Sequence, residues 1–190
     1  RGLVHLELGN YENAISDFKT AMKLSNVMMS AKNYGNIAYA YKLLGNYQGA
    51  LENYNKAIQI RPNLGYVFNG RGFVNMQIGN FEEALEDHEK ALKFYSKIKL
   101  SNLHSDFWNN LGWIKENLKD FDGAITGYDK AIEIDPNYSL GYANRANVRF
   151  ELGDKEGVCR DYKKSSQLGD KYNTDWLNSK EGKWCRNMKI

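Results

Sequence analysis

Side chains that could perform chemistry are few and lie far apart in this sequence. Its three histidines are His5, His88 and His104, and none has a second histidine, a cysteine or a carboxylate at a spacing typical of metal ligands, such as that of the HExxH motif. The stretch 69–72 carries two glycines, but it falls inside a predicted helix, whereas a phosphate-binding loop follows a strand. No nucleophile elbow is present. We therefore expect a chain that is not an enzyme and that binds no metal or cofactor.

The overall composition indicates a folded chain with neither a nucleic-acid-binding surface nor a membrane span. Of its 190 residues, 42% are hydrophobic and 13% are aromatic, which is ample material for a core. The formal net charge is only +3, with acids and bases intermixed, whereas nucleic-acid binders need a concentrated basic surface. No apolar run approaches the roughly 20 residues that span a bilayer. We therefore expect no nucleic-acid partner and no membrane insertion.

The strongest pattern in the sequence is an internal repeat. Related segments begin at residues 8, 44, 78 and 118 and read LGNYENAISDFKTAMKLSN, LGNYQGALENYNKAIQIRPN, IGNFEEALEDHEKALKFYSK and LKDFDGAITGYDKAIEIDPN, and a weaker copy begins at 152. A small or apolar residue recurs in steps of 36, 34, 40 and 34, at Ala14, Ala50, Ala84, Ala124 and Val158. A period near 34 residues is typical of a solenoid of helical hairpins.

These copies resemble the tetratricopeptide repeat family. The family has small residues where the two helices of a hairpin cross, and at the first of these positions the copies read Gly2, Ala38, Gly72, Gly112 and Ala146. Pro62 and Pro136 stand where the family ends its second helix. The resemblance implies an all-α fold, a right-handed α-solenoid of antiparallel helical hairpins with a C-terminal capping helix.

The repeat register predicts how the chain is organised. A partial repeat occupies residues 1–28, complete repeats span 31–64, 65–98, 105–138 and 139–172, and residues 173–190 form a cap over the open apolar end of the stack. The extra residues 99–104, KLSNLH, lengthen one connection between repeats. We expect all these segments to form one solenoid domain.

Two repeat positions vary together along the sequence. Copies with arginine at position seven also have aspartate at position twenty-three, which matches Arg1 with Asp17, Arg71 with Asp87 and Arg145 with Asp161. The copies with Ile37 and Leu111 lack that aspartate, so a pairing between successive copies would set carboxylates against apolar side chains. The pattern therefore predicts a structural ion pair within each hairpin, including Arg71 with Asp87 and Arg145 with Asp161.

Both cysteines lie in the last two predicted elements. Cys159 occupies a position that faces the next element of the stack, and Cys185 belongs to that next element. The two could form a disulfide that fastens the cap, which would imply an oxidising, extracytoplasmic compartment. Equally, both could be reduced core residues of a cytoplasmic protein, because cysteine is often buried without a bridge.

The family resemblance also implies a binding surface. In this family the first helix of each hairpin lines the concave face, and positions two, five, six, nine, twelve and thirteen face the ligand. The asparagines and aromatic residues at positions five, six and nine are Asn36, Tyr39, Asn69, Phe73, Asn109, Asn110, Trp113, Asn144 and Asn147. An amide can donate to and accept from a peptide backbone, and an aromatic ring supplies anchoring area.

We therefore predict a non-enzymatic interaction scaffold that binds an extended peptide or partner segment in its concave groove. The alternatives are an assembly subunit that docks through its ends or convex face, and an accessory domain of a longer protein. The family's carboxylate clamp for the acidic tails of heat-shock chaperones is disfavoured. Gly35 and Tyr39 replace the first lysine and asparagine of that clamp, and Asp106 and Asn110 stand where its later cations belong.

Overall fold

The computed structural model describes residues 1–23, 27–97 and 104–188, and all regular secondary structure in these ranges is helical. The helices are α1 (Gly2–Glu7), α2 (Tyr11–Met22), α3 (Val27–Leu43), α4 (Tyr47–Ile60), α5 (Gly65–Gln77), α6 (Phe81–Lys97), α7 (Ser105–Asn117), α8 (Phe121–Ile134), α9 (Ser139–Glu151), α10 (Lys155–Gln167), α11 (Lys171–Asn178) and α12 (Lys183–Arg186). The predicted insertion at 99–104 lies, apart from His104, outside the described residues.

The chain divides into two compact units, Arg1–Ser101 and Asn102–Ile190. In the first unit, α1 packs on α2, α3 on α4 and α5 on α6, and these hairpins contact one another through α2 with α3 and α4 with α5. In the second unit, α7 packs on α8 and α9 on α10, while α11 and α12 both contact α10. Each unit is therefore a stack of antiparallel helical hairpins.

Short turns join the two helices of each hairpin, and their residues follow from the backbone geometry. Gly45 has a φ of +72°, which glycine adopts without steric cost, and the side chain of Asn46 then accepts a hydrogen bond from the Gly49 amide at 2.9 Å to cap α4. In the turn before α8, Lys119 takes the same conformation at a φ of 65°. This conformation is unfavourable for a residue with a Cβ atom.

The two prolines follow the C-terminal ends of α4 and α8. The residues that precede Pro62 and Pro136 are Arg61 and Asp135, and both are extended, with φ of −144° and −131°. Proline disfavours helical backbone in the preceding residue because its ring clashes with that residue. The prolines thus fix where these second helices end.

Small residues lie where the helices of a hairpin cross. Ala50 and Ala57 are fully buried beside Tyr54. At Gly112, an added Cβ atom would lie 2.7 Å from the ring of Tyr128, so the ring packs directly on the glycine backbone. The predicted all-α solenoid of antiparallel hairpins with a C-terminal cap is confirmed, and two short helices, α11 and α12, follow the last hairpin where one capping helix was expected.

His88 is a core residue of the first unit. It is fully buried, and its Nδ1 atom lies 2.9 Å from the carbonyl oxygen of Ala84 one helical turn earlier. Burial lowers the pKa of His88 because the charged imidazolium is poorly solvated there. This histidine takes the place of the aromatic side chain that the other hairpins bury, such as Tyr54 and Tyr128.

Candidate functional site

Arginine and aspartate form a two-point ion pair inside three of the hairpins: Arg1 pairs with Asp17, and the other two pairs each have a buried carboxylate. Arg71 donates to Asp87 through Nε (2.8 Å to Oδ2) and Nη2 (2.7 Å to Oδ1). Arg145 makes the same pair with Asp161, at 2.8 Å and 2.6 Å. Each carboxylate of these two pairs is only 1% exposed. The structure thus brings together, within one hairpin each, the residues that the repeat pattern matched.

A third nitrogen of Arg71 and of Arg145 reaches the preceding hairpin. Arg71 Nη1 donates to Asn55 Oδ1 at 2.6 Å, and Arg145 Nη1 donates to Asp129 Oδ1 at 2.5 Å. The planar guanidinium has enough donors for both partners. Sequence reasoning missed this contact, although a signal was present, because each acceptor precedes its arginine by 16 residues just as the aspartate follows it by 16. The arginines therefore connect neighbouring hairpins within their units and have a structural role.

In the first unit, a lysine lies between two of the predicted ligand-contacting rings. Lys42 Nζ lies 4.5 Å from the ring centroid of Tyr39 and 4.7 Å from that of Phe73. Both distances are within the range of cation–π attraction, and burial lowers the pKa of Lys42. Tyr39 remains 43% exposed. The predicted amides Asn36 and Asn69 are half-buried on α3 and α5.

Two tyrosine hydroxyls lie against glycines on these same helices. A Cβ atom added to Gly35 would lie 3.0 Å from the hydroxyl oxygen of Tyr66, and one added to Gly70 would overlap the hydroxyl of Tyr54. Glycine at these two positions therefore leaves space that the phenol groups fill. Burial raises the pKa of both Tyr54 and Tyr66, so both are neutral hydrogen-bonding groups at physiological pH.

In the second unit, the predicted amides form hydrogen bonds within the protein. Asn144 Nδ2 donates to Asn109 Oδ1 at 2.9 Å, and the Tyr162 hydroxyl donates to Asn147 Oδ1 at 2.6 Å. Asn109 is buried, at 5% exposure, whereas Asn110 and Asn144 are half-buried and Asn147 is exposed. These bonds hold the amide of Asn144 and that of Asn147 in defined orientations.

Trp113 packs against the core of the second unit while remaining partly exposed. It contacts the buried cluster of Ala124, Tyr128 and Val148. The Tyr128 hydroxyl donates to Glu116 Oε2 at 2.6 Å, and burial raises the pKa of Glu116 despite that hydrogen bond. Sequence reasoning did not link Glu116 to Tyr128. The structure therefore places a carboxylate on the helix that carries Trp113.

Cys159 of α10 and Cys185 of α12 are joined by a disulfide. Their Cα atoms are 5.2 Å apart, and both side chains are fully buried. The bridge connects the last hairpin to the final short helix. It therefore fixes the end of the described chain to the hairpin stack of the second unit.

The described residues contain neither a candidate metal site nor a candidate membrane span. In the ranges 1–23, 27–97 and 104–188, no three histidine, cysteine, aspartate or glutamate side chains come together as a group that could hold a metal ion. Within the same ranges, none of the helices has both the length and the apolar character needed to cross a bilayer.

Comparison with known protein families agrees with the geometry of these hairpins. Residues 38–79 match a family described as TPR repeat, and residues 1–27, 105–138 and 128–157 match families described as tetratricopeptide repeat. The chain belongs to the tetratricopeptide repeat (TPR) family. Proteins of this family generally mediate protein–protein interaction and assembly and are generally non-enzymatic.

Several TPR proteins are similar to this chain over most of its length. Tetratricopeptide repeat protein 6 of Homo sapiens is 27% identical over 79% of this chain, and the DnaJ homolog subfamily C member 7 homolog of Dictyostelium discoideum is 24% identical over 91%. The matched region covers only 28% and 25% of these relatives. A crystal structure of MamA superimposes with a TM-score of 0.74 over 91% of this chain and 96% of that chain, at 19% identity. That structural likeness concerns the fold.

Proposed function

We propose that this TPR chain is a non-enzymatic scaffold that holds an extended peptide or partner segment along the first helices of its hairpins, in a concave groove. The observation that carries the proposal is the group of Tyr39, Lys42 and Phe73, which we call the aromatic–lysine cluster. Its ammonium can donate to a carbonyl or carboxylate oxygen of a ligand, while the exposed face of Tyr39 can pack on a ligand side chain. Such a combination is suited to a peptide.

The amides of the second unit support the same proposal. Because Asn144 is held by Asn109 and Asn147 is held by Tyr162, less side-chain entropy is lost when a ligand binds them. Because Asn109 is buried, its part in the site is to orient the Asn144 amide through their hydrogen bond. We therefore assign ligand contact in the second unit to Asn110, Asn144 and Asn147, with Trp113 as a partly buried aromatic neighbour.

Charge would give each unit its own preference for a ligand residue. Lys42 and Glu116 occupy the same position of their repeats and carry opposite charges. An acidic ligand residue would be favoured beside Lys42 in the first unit, and a basic ligand residue beside Glu116 in the second, because opposite charges attract. Because burial raises the pKa of Glu116, acidification removes this negative charge at a higher pH than it would for an exposed glutamate.

Panning phage-displayed random peptides on the immobilised chain, followed by fluorescence anisotropy with the best binder, tests the proposal. Tyr39→Ala should weaken binding about tenfold, because an exposed aromatic anchor is removed. Ile134→Ala is the matched control, since Ile134 is 44% exposed and lies on the second helix of a hairpin, whereas Tyr39 is 43% exposed on a first helix. Loss of affinity in the control alone would favour docking on the second helices, as in an assembly subunit, and would contradict the groove.

A further inference from the structure

A cavity of about 280 Å³ lies at the C-terminal end of the second unit. It is formed by residues from the end of α9, the turn that follows, the start of α10 and α12. The lining residues are Phe150, Gly153, Lys155, Val158 and Trp184. None of them belongs to the aromatic–lysine cluster or to the amides assigned above, so this cavity is a separate feature of the molecule.

The cavity opens among large apolar side chains that remain exposed. Phe150 is 59% exposed, the nearby Leu152 is 50% exposed and Trp184 is 37% exposed. Grouped exposed hydrophobic residues of this kind mark binding surfaces more often than inert ones. The volume is slightly below the roughly 300 Å³ at which small-molecule sites begin, which suits one large side chain better than a cofactor.

The disulfide holds the two sides of the cavity together. Val158 precedes Cys159 in α10, and Trp184 precedes Cys185 in α12. A helix of four residues is too short to be stable alone, so α12 depends on its attachments. Besides the disulfide, Trp184 makes an edge-to-face contact with Trp176, at 6.2 Å between ring centroids. The bridge at the adjacent residue therefore helps to position the Trp184 ring, together with hydrogen bonds from Arg186 to the Leu177 and Asn178 carbonyls and from Lys163 to the Met188 carbonyl.

Lys155 supplies a positive charge at the cavity that its acidic neighbours do not neutralise. The Asp154 carboxylate caps the Gly157 amide and lies 3.6 Å from Arg149, and Glu156 pairs with Arg160 at 2.7 Å. Within residues 104–188, none of the ion pairs involves Lys155. A ligand with a carboxylate beside its apolar group would complement both features of the cavity.

We propose that this cavity is a second binding site of the protein, which takes one large apolar side chain of a partner protein segment whose next residue is aspartate or glutamate. The apolar side chain fills the space between Phe150, Val158 and Trp184, and the neighbouring carboxylate pairs with the Lys155 ammonium. Because the disulfide helps to position Trp184, the site binds this segment more tightly in the oxidised protein than after reduction.

Nuclear magnetic resonance with three blocked pentapeptides tests this site. The peptides are glycine-glycine-leucine-glutamate-glycine, the same peptide with lysine in place of glutamate, and the same peptide with alanine in place of leucine. The indole N–H signal of Trp184 should shift saturably with the first peptide. Affinity should fall about threefold with the lysine peptide, the usual size for an exposed ion pair, and about tenfold or more with the alanine peptide.

Two changes to the protein sharpen the test. Lys155→Glu should reverse the preference between the glutamate and lysine peptides, whereas Lys171→Glu, at an exposed position of α11, should leave the preference unchanged. A reductant should weaken binding of the first peptide, measured by titrating the Trp184 signal, while circular dichroism shows that the helices remain; unchanged affinity would contradict a role for the bridge. Trp184→Ala, which keeps the disulfide, should abolish binding of the leucine peptides.

Other outcomes would overturn the proposal. If all three peptides shift Trp184 equally, or none saturates, the cavity has no such specificity. If the peptides shift Trp113 but leave Trp184 unchanged, they bind the amide-bearing helices, and the cavity site fails while the groove proposal is supported. If Trp184→Ala instead abolishes a concentration-dependent self-association seen by sedimentation velocity, the occupant is a second copy of this chain.

Discussion

Replacing Arg71 by isoleucine would leave the Asp87 carboxylate buried without its cation. The carboxylate is 1% exposed and would lose two short hydrogen bonds from the guanidinium, at 2.7 Å and 2.8 Å. Its remaining donor is Asn75 Nδ2, at 3.3 Å. Removing one partner of a buried ion pair costs about 3–5 kcal/mol, and the Asn75 contact sets our expectation near the lower value, about 3 kcal/mol.

The preceding hairpin shows how the loss can be compensated. There, Ile37 stands at the position of Arg71, and Asn53 stands at the position of Asp87 and donates to the Gly49 carbonyl at 2.7 Å. The double variant Arg71→Ile, Asp87→Asn copies that arrangement and buries no charge. We expect its free energy of unfolding to lie within about 1 kcal/mol of the parent chain, because a neutral hydrogen-bonded side chain replaces the pair.

Urea unfolding followed by far-ultraviolet circular dichroism measures both values, and urea leaves the charge interactions unscreened. Both variants lose the Arg71 to Asn55 bond, so the difference between them isolates the buried carboxylate. Glu86→Gln is a control, because Glu86 forms an exposed ion pair with Lys90 whose loss should cost well under 1 kcal/mol. If the double variant is as unstable as Arg71→Ile, an unpaired buried charge is not the source of the loss.

Two further predictions concern the core and one turn. In the parent chain, the free energy of unfolding should fall as the pH drops below about 6.5, because the buried neutral His88 binds a proton less readily than it does in the unfolded chain. His88→Phe should remove this loss when urea unfolding is compared at neutral pH and at about pH 5. An unchanged pH dependence in the variant would assign the loss to other groups. Lys119→Gly should raise the free energy of unfolding by about 0.5–1 kcal/mol, because glycine adopts a φ of 65° without strain. The reverse change, Gly153→Lys at a φ of +76°, should lower it. Equal stability of the parent chain and both variants would contradict this.

The sequence by itself determined the hairpins, their crossings and the intra-hairpin ion pairs. Each is local and recurs at a fixed spacing: a small residue where two helices approach, a proline after the second helix, and an aspartate 16 residues after an arginine. Each copy of a repeat needs the same residue type at the same position, so agreement between the copies reveals that requirement. The Arg71 contact with Asn55 obeys the same spacing in the other direction and could have been predicted in the same way.

Only the tertiary structure decided how the candidate ligand-contacting side chains are used. Asn144 pairs with Asn109 across 35 residues of sequence, Glu116 accepts from Tyr128, and the ammonium of Lys42 comes within cation–π range of Phe73 from the next hairpin. An amide, a carboxylate or an ammonium has many possible partners of the right chemistry in any sequence. Its actual partner is the group that the packed helices bring within hydrogen-bonding or cation–π distance. That distance depends on how closely the backbones approach at the small residues and on the side-chain rotamers that the surrounding core allows.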